Sequence, residues 1–109
     1  MKLILALAAA AALARAASAQ EASIQRGEKV YADQKCSLCH SIGGRGNTKG
    51  PLDTVGSRLS AEEIRQWITD PKTMTAKTKA TRKPEMKQYT LPKEDVDALV
   101  AYLQSLKGK

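Results

Sequence analysis

Apolar side chains return at helical spacing in three separate stretches of the chain. The clearest is Val96, Leu99, Val100 and Leu103, at i, i+3, i+4 and i+7, a single stripe along one helix face. It predicts a helix over about residues 92–106. Pro92 suits its first turn, Glu94, Asp95 and Asp97 suit the positive end of its dipole, and Gly108 follows its end. A second stretch, about 61–70, carries Ile64, Trp67 and Ile68 on one face. Ser60 stands at its N-cap, Glu63 completes a capping box, and Pro71 stops it. The third, about 23–35, aligns Ile24, Gly27, Val30 and Tyr31. A mid-helix glycine such as Gly27 costs about 1 kcal/mol relative to alanine, which makes sense where another helix must approach closely.

Between these helices the periodicity disappears. Residues 41–57 hold five Gly and one Pro, and residues 71–90 are rich in Thr and Lys. Neither stretch shows a strand-like alternation. Loops this long in a small domain are usually functional or disordered, and they suit a chain wrapped around a large prosthetic group.

The first residues follow a different logic. Lys2 precedes an unbroken apolar run over residues 3–14, and Ala17-Ser18-Ala19 forms a small-x-small site ahead of Gln20. This is the layout of a secretory signal peptide. The run of about 12 residues is shorter than the roughly 20 that a membrane span needs; the alternative is an uncleaved anchor. We expect residues 1–19 to be removed, leaving residues 20–109 as one exported, periplasmic-type domain with no membrane span. Loss of Lys2 and Arg15 takes the formal net charge from +7 to +5.

Composition sharpens this. With 109 residues there is room for one domain, and 42% hydrophobic with 27% charged residues is a globular mixture. Aromatics are only 4%, with no Phe, so the core must come from Leu, Ile, Val and Ala. So small a core commonly needs a disulfide, metal or cofactor to complete it.

Cys36-Ser37-Leu38-Cys39-His40 supplies the candidate chemistry. C-x-x-C-H is the attachment signature of c-type haem. Two thiols one turn apart reach two vinyl groups on one porphyrin edge, and the next residue turns its imidazole to the iron. The alternatives explain less. Structural zinc wants four Cys or His ligands, and the chain has two Cys and one His. A thioredoxin-like motif belongs to a βαβ context absent here. A disulfide suits an oxidising compartment, but leaves His40 unexplained.

With haem in place, His40 is the only histidine, so two histidine ligands are impossible. Met74 and Met86 remain as thioether donors, and a Met/His pair raises the potential in a manner suited to electron transfer. Met86 precedes Tyr89 and Leu91 at the entry to the last helix and is assigned as the sixth ligand, with Met74 read as core filling. A Lys ligand and an open position are the alternatives.

At these residues the chain resembles the class I monohaem cytochromes c. The resemblance covers the mature chain through Cys36-Ser37-Leu38-Cys39-His40, Gly50-Pro51-Leu52, Trp67-Ile68-Thr69-Asp70-Pro71, Met86-Lys87-Gln88-Tyr89-Thr90-Leu91 and the run from Val96 to Leu103. It implies an all-α cytochrome c fold, three main helices plus long loops around one covalent haem, with the first and last helices crossing at Gly27, Tyr31, Leu99 and Tyr102. It implies that the carbonyl of Pro51 accepts the Nδ1 proton of His40, which would fix the ring and raise its basicity. It also implies that Trp67 lies near a haem propionate, where the alternative is simple core filling. Lys87 stands where many relatives have Pro after the ligand Met.

Charge gathers in one place. Lys72, Lys77, Lys79, Arg82, Lys83 and Lys87 are opposed only by Glu85. Such a rim would steer a monomeric protein to redox partners with acidic docking surfaces; the alternative is a solvated face. Nucleic acid is a poor partner for an exported chain with few aromatics for base stacking. Three function classes follow: a diffusible electron carrier, which is the reading adopted; a dedicated redox subunit of one dehydrogenase or oxidase; and a haem enzyme or gas sensor, which needs an open iron site.

Overall fold

The computed structural model describes the backbone of residues 2–108, and side chains from Leu13 onward apart from Ala14. The apolar run of the expected leader therefore lies almost wholly outside the described side chains. Five helices are described: α1 (Lys2–Asp33), α2 (Val55–Arg58), α3 (Ala61–Thr69), α4 (Pro71–Thr78) and α5 (Lys93–Gln104). A 3-10 turn (Cys36–Leu38) follows α1, and a small ribbon pairs β1 (Ser41–Ile42) with β2 (Arg45–Gly46). The all-α class holds, with two helices and a ribbon more than the sequence pattern predicts.

The principal helix contact is between α1 and α5. On α1, residues 15–22 are exposed, and the first buried residues are Gly27 and Val30. A Cβ on Gly27 would overlap the carbonyl oxygen of Ala98 and the Cβ of Tyr102. The glycine is the point where the helices touch backbone to backbone, as its mid-helix position predicts. One turn on, the rings of Tyr31 and Tyr102 meet edge to face, 5.9 Å apart and inclined by 69°. Arg26 closes the crossing at the other end, 2.8 Å from Asp95 in the first turn of α5. The predicted stripe on α5 is the heart of the core: Val96, Leu99, Val100 and Leu103 are all buried, against Val30, Val55, Ile64 and Ile68.

Local rules explain the remaining elements. The Ser60 hydroxyl accepts from Glu63 N–H at 3.1 Å while Glu63 accepts from Ser60 N–H at 3.0 Å, the predicted capping box of α3. Residues 71–90 do not lack helix altogether, because Pro71 ends α3 and opens α4. Asp70 accepts from Thr73 N–H at 3.4 Å, and Pro71 sits in the first turn, where its missing N–H costs nothing. Periodicity misses α4 because its only buried residues are Pro71 and Met74. Strand alternation misses the ribbon because each strand has two residues. The ribbon turns at Gly43 and Gly44, whose φ values of 60° and 78° demand glycine-like freedom.

Candidate functional site

The end of α1 delivers the Cys–His motif. Past Asp33 the chain passes through Lys35 in the left-handed region (φ 56°) and winds into the 3-10 turn. Cys39 N–H and His40 N–H both donate to the Cys36 carbonyl, at 3.1 and 3.0 Å. The two free thiols stand one turn apart and half-buried, with the imidazole directly behind. Burial pushes the Cys36 thiol up to about 11.

A second segment clamps this turn from outside. Asn47 N–H donates to Ser37 and His40 carbonyls at 3.0 and 2.9 Å, and its side-chain amide reaches the Leu38 carbonyl at 3.3 Å. Gly46 permits the approach: its φ is 103°, and a Cβ there would strike the His40 carbonyl oxygen. Sequence reasoning did not single out Gly46 or Asn47. The available signal was the glycine density of residues 41–57.

His40 is half-buried, and its Nδ1 lies 3.0 Å from the Gly50 carbonyl oxygen. With Nδ1–H donating there, Nε2 keeps its lone pair for a metal. Burial above all lowers the pKa of His40, and the nearby charge of Arg82 adds to this, which favours the neutral, ligating form. The acceptor is not Pro51, as the resemblance implies, but its neighbour Gly50. Ser41 and Pro51 form a parallel bridge: Ser41 N–H donates to Gly50 O at 3.1 Å and Leu52 N–H to Ser41 O at 2.8 Å. In extended backbone successive carbonyls alternate in direction, so the Gly50 carbonyl faces the His40 side and the Pro51 carbonyl faces away. The Pro51 side chain is exposed.

The segment that carries Met86 reaches this region through Arg82 and Lys87. Met86 is half-buried in the extended chain between α4 and α5. Tyr89 N–H ties that chain to α3 through the Ile68 carbonyl at 3.2 Å. Lys87 lies over the Tyr89 ring, 5.1 Å from its centroid, and its charge favours the Cys36 thiolate. Met74 lies elsewhere, 4% exposed on α4 beside a small cleft with Gln66, Asp70, Thr73 and Lys77. Trp67 is half-buried on α3 between the buried Ile64 and Ile68. Arg82, from the same segment as Met86, rests on Gly50: a Cβ there would overlap its Nη1 and come 2.9 Å from its Cζ.

These residues fit a haem. The donor set is two thiols at helical spacing, a neutral imidazole with Nε2 available, and a thioether on a neighbouring segment. Among the described residues, no cluster of three His, Cys, Asp or Glu could hold a bare metal ion. The Tyr31 hydroxyl is buried with no hydrogen-bond partner. Burial raises its pKa to about 12, and the neighbouring Cys36 adds to that rise. An orphaned hydroxyl beside the anchoring cysteine is costly in a finished core, and marks a place where the polypeptide alone is incomplete.

Comparison with known proteins agrees with the geometry. The cytochrome c family profile matches residues 24–107. The chain is 32% identical over 96 residues to a protein described as cytochrome c oxidase subunit 2 from Alkalihalophilus pseudofirmus (strain ATCC BAA-2126 / JCM 17055 / OF4). That match covers 80% of this chain and 27% of the relative, so the chain spans about a quarter of the relative's length. No solved structure matches the chain significantly.

Proposed function

Because the chain belongs to the cytochrome c family, we propose that it is an exported electron carrier, moving one electron at a time between redox proteins through a single covalent haem c. The observation that carries this reading is the turn from Cys36 to His40, two free thiols followed by an imidazole held at 3.0 Å by the Gly50 carbonyl.

Cys36 and Cys39 would hold the haem through thioether bonds, and His40 Nε2 and the Met86 thioether would be the protein's ligands to its iron. The bound haem supplies a one-electron iron couple, and a Met/His ligand pair raises its potential. Gly50 keeps the His40 ring from rotating and maintains its tautomer. Gly46 and Asn47 keep the attachment turn wound. Trp67 is the candidate contact for a propionate. With His40 and Met86 both engaged, the group would have no ligand position left for a substrate, which favours a carrier over an enzyme.

The leader reading is supported by packing: the described side chains before Ser23 are exposed, and burial begins in the part of α1 that the family profile covers. Among the described residues no helix is long and apolar enough to cross a membrane. Lys72, Lys77, Lys79, Arg82, Lys83 and Lys87 are all exposed, and would steer a monomer toward acidic docking surfaces.

Denaturing gels stained for haem, together with the optical spectrum, test the centre. Colour should stay with the parent polypeptide, with a low-spin His/Met spectrum, and leave it when Cys36 and Cys39 are both replaced by Ala. A colourless parent containing a Cys36–Cys39 disulfide overturns the reading. A second reading, a dedicated electron-transfer subunit of one oxidase or dehydrogenase, is favoured by the likeness to an oxidase subunit. A stoichiometric complex that survives moderate salt would select it.

A further inference from the structure

Arg82 occupies an unusual position for an exposed cation. Two cations near it in the same segment are engaged: Lys83 pairs with Glu85 at 2.9 Å, and Lys87 lies over Tyr89. Arg26 and Arg65 pair with Asp95 and Asp97. Among the described residues no carboxylate pairs with Arg82. Its guanidinium instead lies against Gly50, where a Cβ would overlap its Nη1. The Gly50 carbonyl oxygen already receives two donors, Ser41 N–H at 3.1 Å and His40 Nδ1 at 3.0 Å.

We propose that Arg82 is a positioning residue for His40, polarising the Gly50 peptide that receives the His40 Nδ1 proton and thereby raising the reduction potential of the haem iron that His40 ligates. The proposal rests on the ligation read above. A strong acceptor at Nδ1 makes an imidazole more electron-rich and favours the oxidised metal. A cation against the accepting peptide draws density from that carbonyl and weakens it as an acceptor. Its own charge also disfavours the more positive, oxidised site, so both effects raise the potential. Because Arg82 stands four residues before Met86, one segment would serve both the Gly50–His40 pair and the second proposed ligand.

Potentiometry of the purified holoprotein tests this, with the His40 Nδ1–H resonance followed by proton NMR. Arg82→Gln should shift the oxidised-to-reduced ratio at the parent midpoint about threefold toward oxidised, roughly 30 mV at 59 mV per tenfold for one electron. It should also move the Nδ1–H resonance. Arg82→Lys should recover most of the shift. Lys83→Gln removes the same charge one residue away, and should move the potential less than half as far and leave the resonance in place. Equal shifts for Arg82→Gln and Lys83→Gln, or an unmoved resonance in Arg82→Gln, overturn the proposal. Failure of the ligation itself is visible separately, as a parent protein without the low-spin His/Met spectrum.

Discussion

The α1–α5 crossing and the segment between α4 and α5 are built on opposite terms. The crossing is backbone against backbone at Gly27, where a Cβ has no room, and is lined by Val30, Val96, Leu99 and Leu103. The segment over residues 79–92 has no regular secondary structure, mostly exposed side chains, and Met86, Tyr89 and Leu91 as its only half-buried residues. In the proposed centre each would supply part of the haem's attachment. The rigid region ends in the cysteines and His40; the loose one carries Met86. A covalent, permanent anchor belongs on the part that cannot move. A tunable ligand, and charges that would meet a partner, belong on a part whose sequence can vary without loss of the core.

The strongest way to break this contrast is to give the crossing a side chain. Gly27→Val should destabilise the protein by about 3 kcal/mol or more, since neither the Ala98 carbonyl nor the Tyr102 Cβ can retreat without separating the helices. A denaturant midpoint close to the parent's would show that the crossing is looser than described. The two methionines offer a finer cut. Met74→Ala should cost about 2–3 kcal/mol of stability, as expected for truncating a buried side chain, and leave the haem spectrum unchanged. Met86→Ala should do the reverse, abolishing the low-spin His/Met signature and lowering the potential with a smaller loss of stability. If Met74 proves spectroscopically decisive, the ligand moves to α4.

How much of this was legible in the sequence depends on what each feature needs. The α5 stripe, the Ser60–Glu63 capping box and the close approach at Gly27 each follow from local pattern and simple sterics, and the structure has all three. The Cys–His motif is legible because its chemistry dictates its spacing. α4 was not, since its start is set by a capping aspartate and an N-terminal proline, while a single methionine supplies its buried face beyond the first residue. The acceptor for His40 was misassigned by one residue. Carbonyl direction alternates along extended chain, and which of two successive carbonyls faces the ring is decided by the bridge between Ser41 and Pro51. The place of Arg82 on Gly50 is a tertiary contact across 32 positions with no local signature.

The loose region can be probed without touching the core. Reversing charge at Lys79, Lys83 and Lys87 should slow bimolecular electron transfer to an acidic partner about tenfold at low ionic strength, equivalent to roughly 1.4 kcal/mol, and flatten its salt dependence. The midpoint of unfolding should barely change. Rates indifferent to both salt and the substitutions would make this run a solvated surface. The smallest effect is expected at the edge of the rigid region, where Ser60→Ala removes one half of the capping box and should cost about 1 kcal/mol, with the spectrum intact.

The crossing also has a consequence in time. Arg26 and Asp95 are 69 positions apart, so the contact that completes the core joins the earliest and latest parts of the domain to be synthesised. Closing a loop of that length costs on the order of 4 kcal/mol in chain entropy beyond a constant, and nothing repays it until α5 is present. A chain emerging from its amino end therefore cannot shut around the attachment turn before its last helix is made. Cys36, Cys39 and His40 would then pass through an interval of accessibility in which a haem could be loaded, and the arrival of the last helix would end it.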